Sequence, residues 1–269
     1  VKHFRIRSGI ALGTILALSS VVCLSPGAQD PRPAPQTAAH PILAIGSPAP
    51  EFALPGVDGK IHKLSEYKKS PLLMVMFICN HCPTSQLYEG RMKKLVADYR
   101  AKGVAFVAIQ PNDTRAVRLS EQGYTDVGDG LEEMKIRAEN QKFTFPYLND
   151  GDTQSVAEAY GAQATPHVFL FDKERKLRYQ GRIDDSQRES RVKSQDARAA
   201  LDALLAGRPV PVPGTPAFGC STKWKSKIDT EGVQRKAIES EPVKLETVTA
   251  EDLKTLRSNP TDKVTVVTF

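Results

Sequence analysis

The sequence has few of the residues that build a metal-based or disulfide-based scaffold. Its 269 residues include four cysteines and five histidines. One CxxC motif occurs, at Cys79 and Cys82, and no second CxxC or HxxxH pair follows it. Structural zinc sites normally draw four ligands from two such pairs, and disulfide scaffolds pack more cysteines into a shorter chain. The composition therefore favours a domain stabilised by a hydrophobic core, with no metal site and no cofactor.

A strong excess of one charge is also lacking. The chain has 37 basic and 31 acidic residues, a formal net charge of +6. Residues 1–28 hold three of the basic residues and none of the acidic ones, so the remainder carries about +3. Nucleic-acid-binding domains usually show a clustered basic excess. We therefore predict no nucleic-acid partner.

A long apolar run is missing as well. The most apolar stretch, Ile10 to Leu24, is shorter than the roughly 20 residues of a transmembrane helix. It follows Lys2, Arg5 and Arg7 and precedes Ser25-Pro-Gly-Ala28, which is the layout of a secretory signal. We predict a signal peptide over 1–28, a flexible Pro- and Ala-rich linker over 29–41, and export to the periplasm or another extracytoplasmic compartment. The alternative is an uncleaved segment that tethers the protein to a membrane.

The two central cysteines stand at the junction of a predicted strand and a predicted helix. A hydrophobic run from Met74 to Ile78 leads to Cys79-Asn-His-Cys82, and Pro83 then suits the first turn of a helix. The positive end of a helix stabilises a thiolate, and His81 lies between the cysteines. We expect a lowered pKa at Cys79, the outer cysteine, with His81 tuning that thiolate.

The CxxC motif is compatible with three kinds of site. It could be half of a zinc site, a purely structural disulfide, or a dithiol that is oxidised and reduced reversibly. The strand-to-helix setting is required by a redox motif and not by the other two. Two thiols so close in the chain also form a disulfide with little loss of entropy. We therefore favour redox chemistry.

The order of predicted elements indicates an α/β domain over residues 42–208. A hairpin extension with a turn at Asp58-Gly59 comes first, and a second buried strand at Val104 to Gln110 completes a βαβ unit with the CxxC helix. A linking helix, a hairpin that follows Thr165-Pro166, and a closing helix come next. This order predicts a thioredoxin fold, with a central mixed sheet flanked by helices.

With these motifs in view, residues 46–208 resemble a redoxin of the thioredoxin-like superfamily, in the branch of alkyl hydroperoxide reductase and thiol-specific antioxidant proteins. The matching motifs are Ala49-Pro-Glu-Phe-Ala-Leu54, Cys79-Asn-His-Cys82-Pro83, Asn112-Asp113, Tyr160-Gly161, Thr165-Pro166 and Gly181-Arg-Ile-Asp184. The resemblance implies that Cys79 attacks and Cys82 resolves. It also implies that Thr165 and a cis Pro166 form a loop that binds an extended substrate chain.

One departure from the family separates two activities. Peroxiredoxins carry PxxxTxxC, whereas this chain has Val75 and Cys79 where the proline and the hydroxyl residue belong. We therefore rank thiol-disulfide exchange above a peroxiredoxin-like antioxidant activity. Its partners would be protein thiols and disulfides, or a thioredoxin-like reductant. A third alternative is a copper chaperone that uses Cys79, Cys82 and a histidine such as His167, because Cu(I) prefers thiolate and imidazole ligands.

The C-terminal part differs in character. We predict a linker or extension over 209–242 and, over 243–269, the start of a second thioredoxin-like domain with strands at Val243–Val248 and Lys263–Phe269. A single strand added to the first domain is the alternative. Cys220 could be a second resolving thiol brought back over the active site, or a packed or idle thiol. We favour the latter because nothing in the sequence fixes its distance from Cys79.

Overall fold

The computed structural model describes residues 40–241 and 249–258, all of which belong to one compact unit. The predicted signal peptide over 1–28 and nearly all of the predicted linker over 29–41 lie outside these residues. The strands are β1 Ala53–Pro55, β2 Ile61–Lys63, β3 Leu72–Phe77, β4 Val104–Gln110, β5 Tyr147–Asn149, β6 Ala164–Thr165, β7 His167–Phe171, β8 Leu177–Gly181 and β9 Cys220–Ser221. The helices are α1 Pro83–Arg100, α2 Leu131–Asn140, α3 Ser155–Tyr160, α4 Asp196–Leu205, α5 Ile228–Ser240 and α6 Ala250–Ser258.

The central sheet has five strands in the order β5-β4-β3-β7-β8. Strands β3, β4 and β5 run parallel, whereas β7 pairs antiparallel with both β3 and β8. The parallel pair β3–β4 belongs to the βαβ unit with α1, and the antiparallel pair β7–β8 is the hairpin that follows Pro166. The predicted mixed sheet and thioredoxin fold are therefore confirmed.

Strand β3 contributes to two cores because its side chains alternate between the faces of the sheet. On one face Met74 and Met76 join a cluster with α1, α2 and α4, to which Tyr88 and Leu201 belong. On the other face Val75 and Phe77 pack with α3 and the N-terminal hairpin. Every residue of β3 is buried, as its unbroken apolar sequence predicts.

The predicted N-terminal hairpin is confirmed and lies at one edge of the sheet. Strands β1 and β2 pair antiparallel, and Gly59 in the turn has a φ of 77°. Gly56 makes a bridge with Leu148 of β5, and the N–H of Val57 donates to the carbonyl of Tyr147. The hairpin thereby covers the outer side of β5, an edge that would otherwise be open to other chains.

The segment predicted as a linker or extension packs on the domain over much of its length. Gly214 forms a parallel bridge with Gln180, β9 pairs antiparallel with β6, and Trp224 stacks on His40 at 3.9 Å between ring centroids. Helix α5 follows, with Glu231 3.5 Å from Arg118. This part of the chain is therefore an extension of the domain, and it reaches the end of the domain that carries the CxxC motif.

Little of the predicted second domain falls within the described residues. The helix expected after Thr249 is present as α6, and the Thr249 hydroxyl accepts the N–H of Asp252 at 3.2 Å. Both predicted strands, at 243–248 and 263–269, lie outside the described residues, so the second domain stays a prediction. No helix in the described part of the chain combines the length and apolar character needed to cross a membrane.

Candidate redox site

Cys79 and Cys82 lie between β3 and α1, as the sequence predicts. Cys82 is the N-cap residue of α1, its sulfur accepts the N–H of Ser85 at 3.4 Å, and Pro83 is the first helical residue. The N–H of Cys79 donates to the Ser85 hydroxyl at 3.3 Å. Ser85 thus fixes both ends of the CxxC turn.

Both cysteines of the motif are buried, including Cys79, the outer one. Cys79 is 2% exposed and Cys82 is fully buried. The Cys79 sulfur lies 3.1 Å from the Thr165 hydroxyl, and the Cys82 sulfur donates to the Thr165 carbonyl at 3.2 Å. The β6 end of the Thr165-Pro166 loop therefore covers both thiols.

The surroundings of the two thiols differ from those expected. Burial raises the pKa of Cys79 well above its ordinary value, and its proximity to Cys82 and the charge of Asp129 raise it further. The pKa of Cys82 is lowered, because the Cys220 and Cys79 thiols lie close to its sulfur. The backbone N–H groups of Ser85 and Cys220 add to this and outweigh burial. The helix end stabilises Cys82 because Cys82, and not Cys79, is the N-cap residue.

One contact at Cys82 acts against the thiolate. Donation to the Thr165 carbonyl requires a protonated sulfur. That acceptor is opposed by the N–H of Ser85 and by the nearby Cys220 and Cys79 thiols, which favour the charged form of Cys82. Of the two thiols of the motif, Cys82 is therefore the one whose surroundings favour a thiolate.

The Thr165-Pro166 peptide bond is cis, in agreement with the match to the cis-proline loop. Thr165 is buried and contacts both cysteine sulfurs, one through its hydroxyl and one through its carbonyl. The structure thus brings together Cys79, Cys82 and the predicted substrate-binding loop.

His81 is paired with a residue that the sequence did not single out. Its Nδ1 lies 2.5 Å from the Asp129 carboxylate, which also accepts the backbone N–H groups of Asn80 and His81 at 2.8 and 3.0 Å. Burial lowers the pKa of His81, but the hydrogen bond and charge of Asp129 raise it by more. An imidazolium at His81 is therefore favoured, and its Nε2 has no hydrogen-bond partner among the described residues.

The copper alternative can be compared with the ligands that the structure offers. His167 is buried with both ring nitrogens engaged, by Gln180 at 3.0 Å and by the N–H of Gln163 at 3.2 Å. It is therefore not placed as a ligand. Among residues 40–241 and 249–258, the one group of three potential ligands is Cys79, His81 and Asp129, whose ligand atoms lie within 4.8 Å of one another. The Asp129 oxygens already accept several hydrogen bonds, which makes this group a poor match for a soft metal ion.

Cys220 lies beside Cys82, over the redox motif, so the structure supplies the proximity that the sequence could not fix. It pairs with Thr165 in the β6–β9 ladder, and its thiol lies close enough to Cys82 to lower the pKa of that sulfur. Cys220 is half-buried, which makes it more accessible than either cysteine of the CxxC motif. The three thiols thus form a chain with Cys82 in the middle.

Sequence reasoning missed Asp129 and the position of Cys220 for different reasons. Asp129 stands in a long polar connection in which an acidic residue has no periodic pattern to mark it as buried. Cys220 is brought back by a chain reversal at residues 209–219. The one sequence feature that hints at this is Gly219, because a Cβ there would overlap the Thr165 carbonyl.

Comparison with known proteins supports the fold and its chemistry. The family model described as AhpC/TSA matches residues 45–180. The thiol-disulfide oxidoreductase ResA of Geobacillus thermodenitrificans (strain NG80-2) is 28% identical over 138 residues, covering 51% of this chain and 68% of ResA.

Two solved structures resemble more of the chain. An uncharacterized conserved protein from Geobacillus kaustophilus has a TM-score of 0.61 and 42% identity, covering 69% of this chain and 95% of that protein. A hypothetical protein from Sinorhizobium meliloti 1021 has a TM-score of 0.60 and 39% identity, covering 70% of this chain and 98% of that protein. Together with the fold and the family match over half of its length, these findings show that the chain belongs to the AhpC/TSA family and is a thioredoxin-like oxidoreductase.

Proposed function

We propose that this protein is an exported thiol-disulfide oxidoreductase whose redox group is the Cys79–Cys82 pair. The observation that carries the proposal is the position of Cys82 as N-cap of α1, with the N–H of Ser85 on its sulfur and a second thiol three residues away. A thiolate is the nucleophile of disulfide exchange, and an adjacent thiol completes it.

We propose that Cys82 makes the first attack. Its thiolate attacks a sulfur of the substrate disulfide, forms a mixed disulfide and releases one substrate thiolate. Cys79 then attacks the Cys82 sulfur, so that the Cys79–Cys82 bond forms and the second substrate thiolate leaves. Two protons and two electrons pass to the substrate, and the reverse sequence oxidises a substrate dithiol. These roles reverse those that the resemblance implies.

His81 and Asp129 adjust the charge at this site. The charge of Cys82 raises the pKa of His81, so by reciprocity a protonated His81 favours the Cys82 thiolate. Cys79 must lose its proton before it can attack, and a His81 ring nitrogen and an Asp129 oxygen lie within 4.8 Å of its sulfur. We assign His81 as a positioning residue whose protonated ring stabilises the Cys82 thiolate, and the Asp129 carboxylate is the group near enough to Cys79 to receive that proton.

The partners we propose are protein thiols and disulfides, or a thioredoxin-like reductant. The name of ResA, a thiol-disulfide oxidoreductase, supports this class of substrate. The proposal of export rests on the signal-like layout of residues 1–28. In an oxidising compartment such a dithiol needs a dedicated reductant or acts as an oxidant.

A thiol peroxidase is the second candidate, and one observation favours it. Its peroxidatic cysteine would be Cys82, the cysteine with the lowered pKa, and a resolving thiol stands on either side. Against it, Cys79 occupies the position of the family's hydroxyl residue. Consumption of hydrogen peroxide by the reduced protein, lost in Cys82→Ser, would establish this activity.

Thiolate absorbance near 240 nm tests the assignment of Cys82. All proteins carry Cys23→Ser, so that three thiols remain. Because an ordinary thiol has a pKa of about 8.5, we expect one thiolate per reduced molecule at about pH 6. This thiolate should be lost in Cys82→Ser and kept in Cys79→Ser. The opposite pattern would return the nucleophile to Cys79.

Turnover tests the proposed function itself. With insulin as the disulfide substrate and dithiothreitol as the reductant, Cys82→Ser should lower the rate by at least about 100-fold, and Cys79→Ser should do so when it is combined with Cys220→Ser. Ser221→Ala is the control, because Ser221 is an exposed residue of β9 outside the pair. Turnover that survives both cysteine substitutions would refute the proposal.

A further inference from the structure

The site contains more thiols than a dithiol enzyme needs. Cys79 and Cys82 are buried, whereas Cys220 is half-buried and in contact with Cys82. Exchange requires the attacking sulfur to reach the disulfide in line, and a protein partner reaches a half-buried thiol more easily than a buried one. Cys220 is therefore the thiol of the three that a partner can reach most directly.

Cys220 belongs to a segment that is hydrogen-bonded to the rest of the domain both before and after it in the chain. We call residues 214–224 the strap. Before Cys220, the Thr215 hydroxyl accepts the N–H of Arg182 at 3.0 Å and lies 2.9 Å from the Tyr179 hydroxyl. Contacts of this kind fix the strap ahead of β9.

After Cys220, the Thr222 hydroxyl donates to the Ala162 carbonyl at 2.7 Å, and the N–H of Lys223 donates to the Asn112 side chain at 2.9 Å. The Lys223 ammonium also pairs with Glu121 at 2.7 Å. Because the residues on both sides of Cys220 are fixed by these contacts, the fold itself determines the position of Cys220 next to Cys82.

The strap occupies the edge at which a substrate chain is expected to bind. In β9, Cys220 pairs antiparallel with Thr165, and Ser221 pairs with Ala164. The neighbouring Gly219 passes so close to the Thr165 carbonyl that a Cβ would overlap it. Strand addition at this loop is the mode of peptide binding that the cis-proline match implies. Cys220 thus stands where the cysteine of a bound substrate would stand.

We propose that Cys220 is a third redox-active thiol, which exchanges with Cys82 and carries the disulfide between the buried Cys79–Cys82 pair and protein dithiols. This inference rests on the proposed function. In the oxidised protein, the Cys220 thiolate attacks the Cys82 sulfur, the Cys82–Cys220 bond forms, and Cys79 leaves as a thiolate. Cys79 takes up the proton that Cys220 has lost, so no net oxidation occurs.

The second half of the relay involves the partner. A thiolate of the protein dithiol attacks the Cys220 sulfur, forms a mixed disulfide and releases the Cys82 thiolate. The partner's second thiol then attacks its own first sulfur and releases Cys220. The partner loses two electrons and becomes a disulfide. Those two electrons reduce the disulfide of this protein, so that all three of its cysteines are then thiols.

Disulfide mapping tests the first step. In full-length protein with Cys23→Ser and Cys79→Ser, diamide should produce an intramolecular Cys82–Cys220 disulfide, identified by proteolysis and mass spectrometry after quenching with acid. Adding Gly219→Ala should lower its yield by at least about tenfold, because the new Cβ pushes the strap off Thr165. Gly214→Ala is the matched control in the strap, since its Cβ would meet only the flexible end of Gln180.

Reduction by a protein dithiol tests the second step and avoids a change in the CxxC pair. The probe is reduced thioredoxin acting on oxidised protein that carries Cys23→Ser. Cys220→Ser should slow this reduction by at least about tenfold while leaving reduction by dithiothreitol within about threefold. Serine keeps a donor to the Cys82 sulfur, so the substitution removes the exchangeable sulfur and little else.

The outcomes separate the two proposals. If the Cys79→Ser protein keeps two free thiols after diamide while the protein with all three thiols forms Cys79–Cys82, the relay is refuted and the proposed function stands. Equal rates with thioredoxin for Cys220→Ser and its parent also refute the relay. If no intramolecular disulfide forms in any of these folded proteins, both proposals fail.

Discussion

At the scale of single residues, Asp129 connects more of the site than either cysteine. Its carboxylate binds His81, the backbone of the CxxC turn and the Asn112 amide, and Asn112 in turn accepts the N–H of Lys223 in the strap. One buried carboxylate therefore links the CxxC turn, the loop before α2 and the strap. Its negative charge also opposes ionisation of Cys79 and supports a protonated His81.

Asp129→Asn should destabilise the reduced protein and alter its charge at the site. The amide N–H₂ group of asparagine would face the N–H donors that Asp129 now accepts, and two donors cannot bond to each other. The substitution also removes one partner of the buried ion pair with His81, a loss that costs about 3–5 kcal/mol. Urea unfolding measures this loss. Asp126→Asn is the control, since Asp126 belongs to the same loop and is absent from the bonds around His81. A loss below about 1 kcal/mol would show that Asp129 is dispensable for the turn.

Asp129→Asn should also change the pH at which His81 titrates. With Asp129 present, the raised pKa of His81 means that the pair stabilises the fold fully below the unfolded pKa of about 6.5. That contribution is lost as pH rises through the higher folded value. In Asp129→Asn the imidazole should titrate at lower pH, which NMR of the His81 ring protons measures. If the His81 ring titrates at the same pH in Asp129→Asn as in the parent protein, Asp129 is not the group that raises the pKa of His81.

At the scale of elements, the redox site is made by two short elements and one long one. Helix α1 supplies its N-terminus, β6 presents the Thr165 hydroxyl and carbonyl, and β9 brings Cys220. The long helix could be predicted from its apolar spacing and from Pro83. The two-residue strands could not, because such strands have no detectable alternation and owe their pairing to contacts far apart in the chain.

At the same scale, Gly161 is a position where the path of the chain is tightly restricted. It ends α3 at a φ of 64°, and a Cβ there would overlap the carbonyl of Pro41. Gly161→Ala should therefore destabilise the protein by more than the roughly 1 kcal/mol of a positive φ alone. Gly207→Ala measures that conformational cost by itself, since Gly207 has a φ of 66° and no atom within 4 Å of a new Cβ. Equal losses in the two variants would mean that Pro41 moves aside freely.

At the scale of the whole molecule, the sequence predicts the sheet and its helices better than it predicts the site. Strands β3, β4 and β7 are continuous apolar runs, so their burial and order follow from hydrophobicity and from the βαβ rule. The pKa order of Cys79 and Cys82 depends instead on which residue becomes the N-cap and on donors from β9. Those donors lie about 140 residues away in the chain, beyond the reach of local patterns.

His167 offers a test of the folded molecule by pH. It is buried at the start of β7, next to Phe77 of β3, and its burial lowers its pKa to about 4 against 6.5 for an ordinary histidine. Because the unfolded chain takes up the proton first, stability is unaffected above about pH 6.5 and falls as pH drops from there toward 4. The full difference amounts to about 3 kcal/mol, at 1.36 kcal/mol for each pKa unit.

The matched variant is His167→Asn, in which a neutral amide keeps one donor and one acceptor for Gln180 and Gln163. Urea unfolding at about pH 7 and about pH 4.5 should show a larger loss of stability on acidification for the parent than for the variant, by about 2–3 kcal/mol. Carboxylates titrate in both proteins and cancel in the comparison. Parallel losses in the two proteins would mean that His167 takes up its proton within the fold, and hence that the centre of the sheet is open to water.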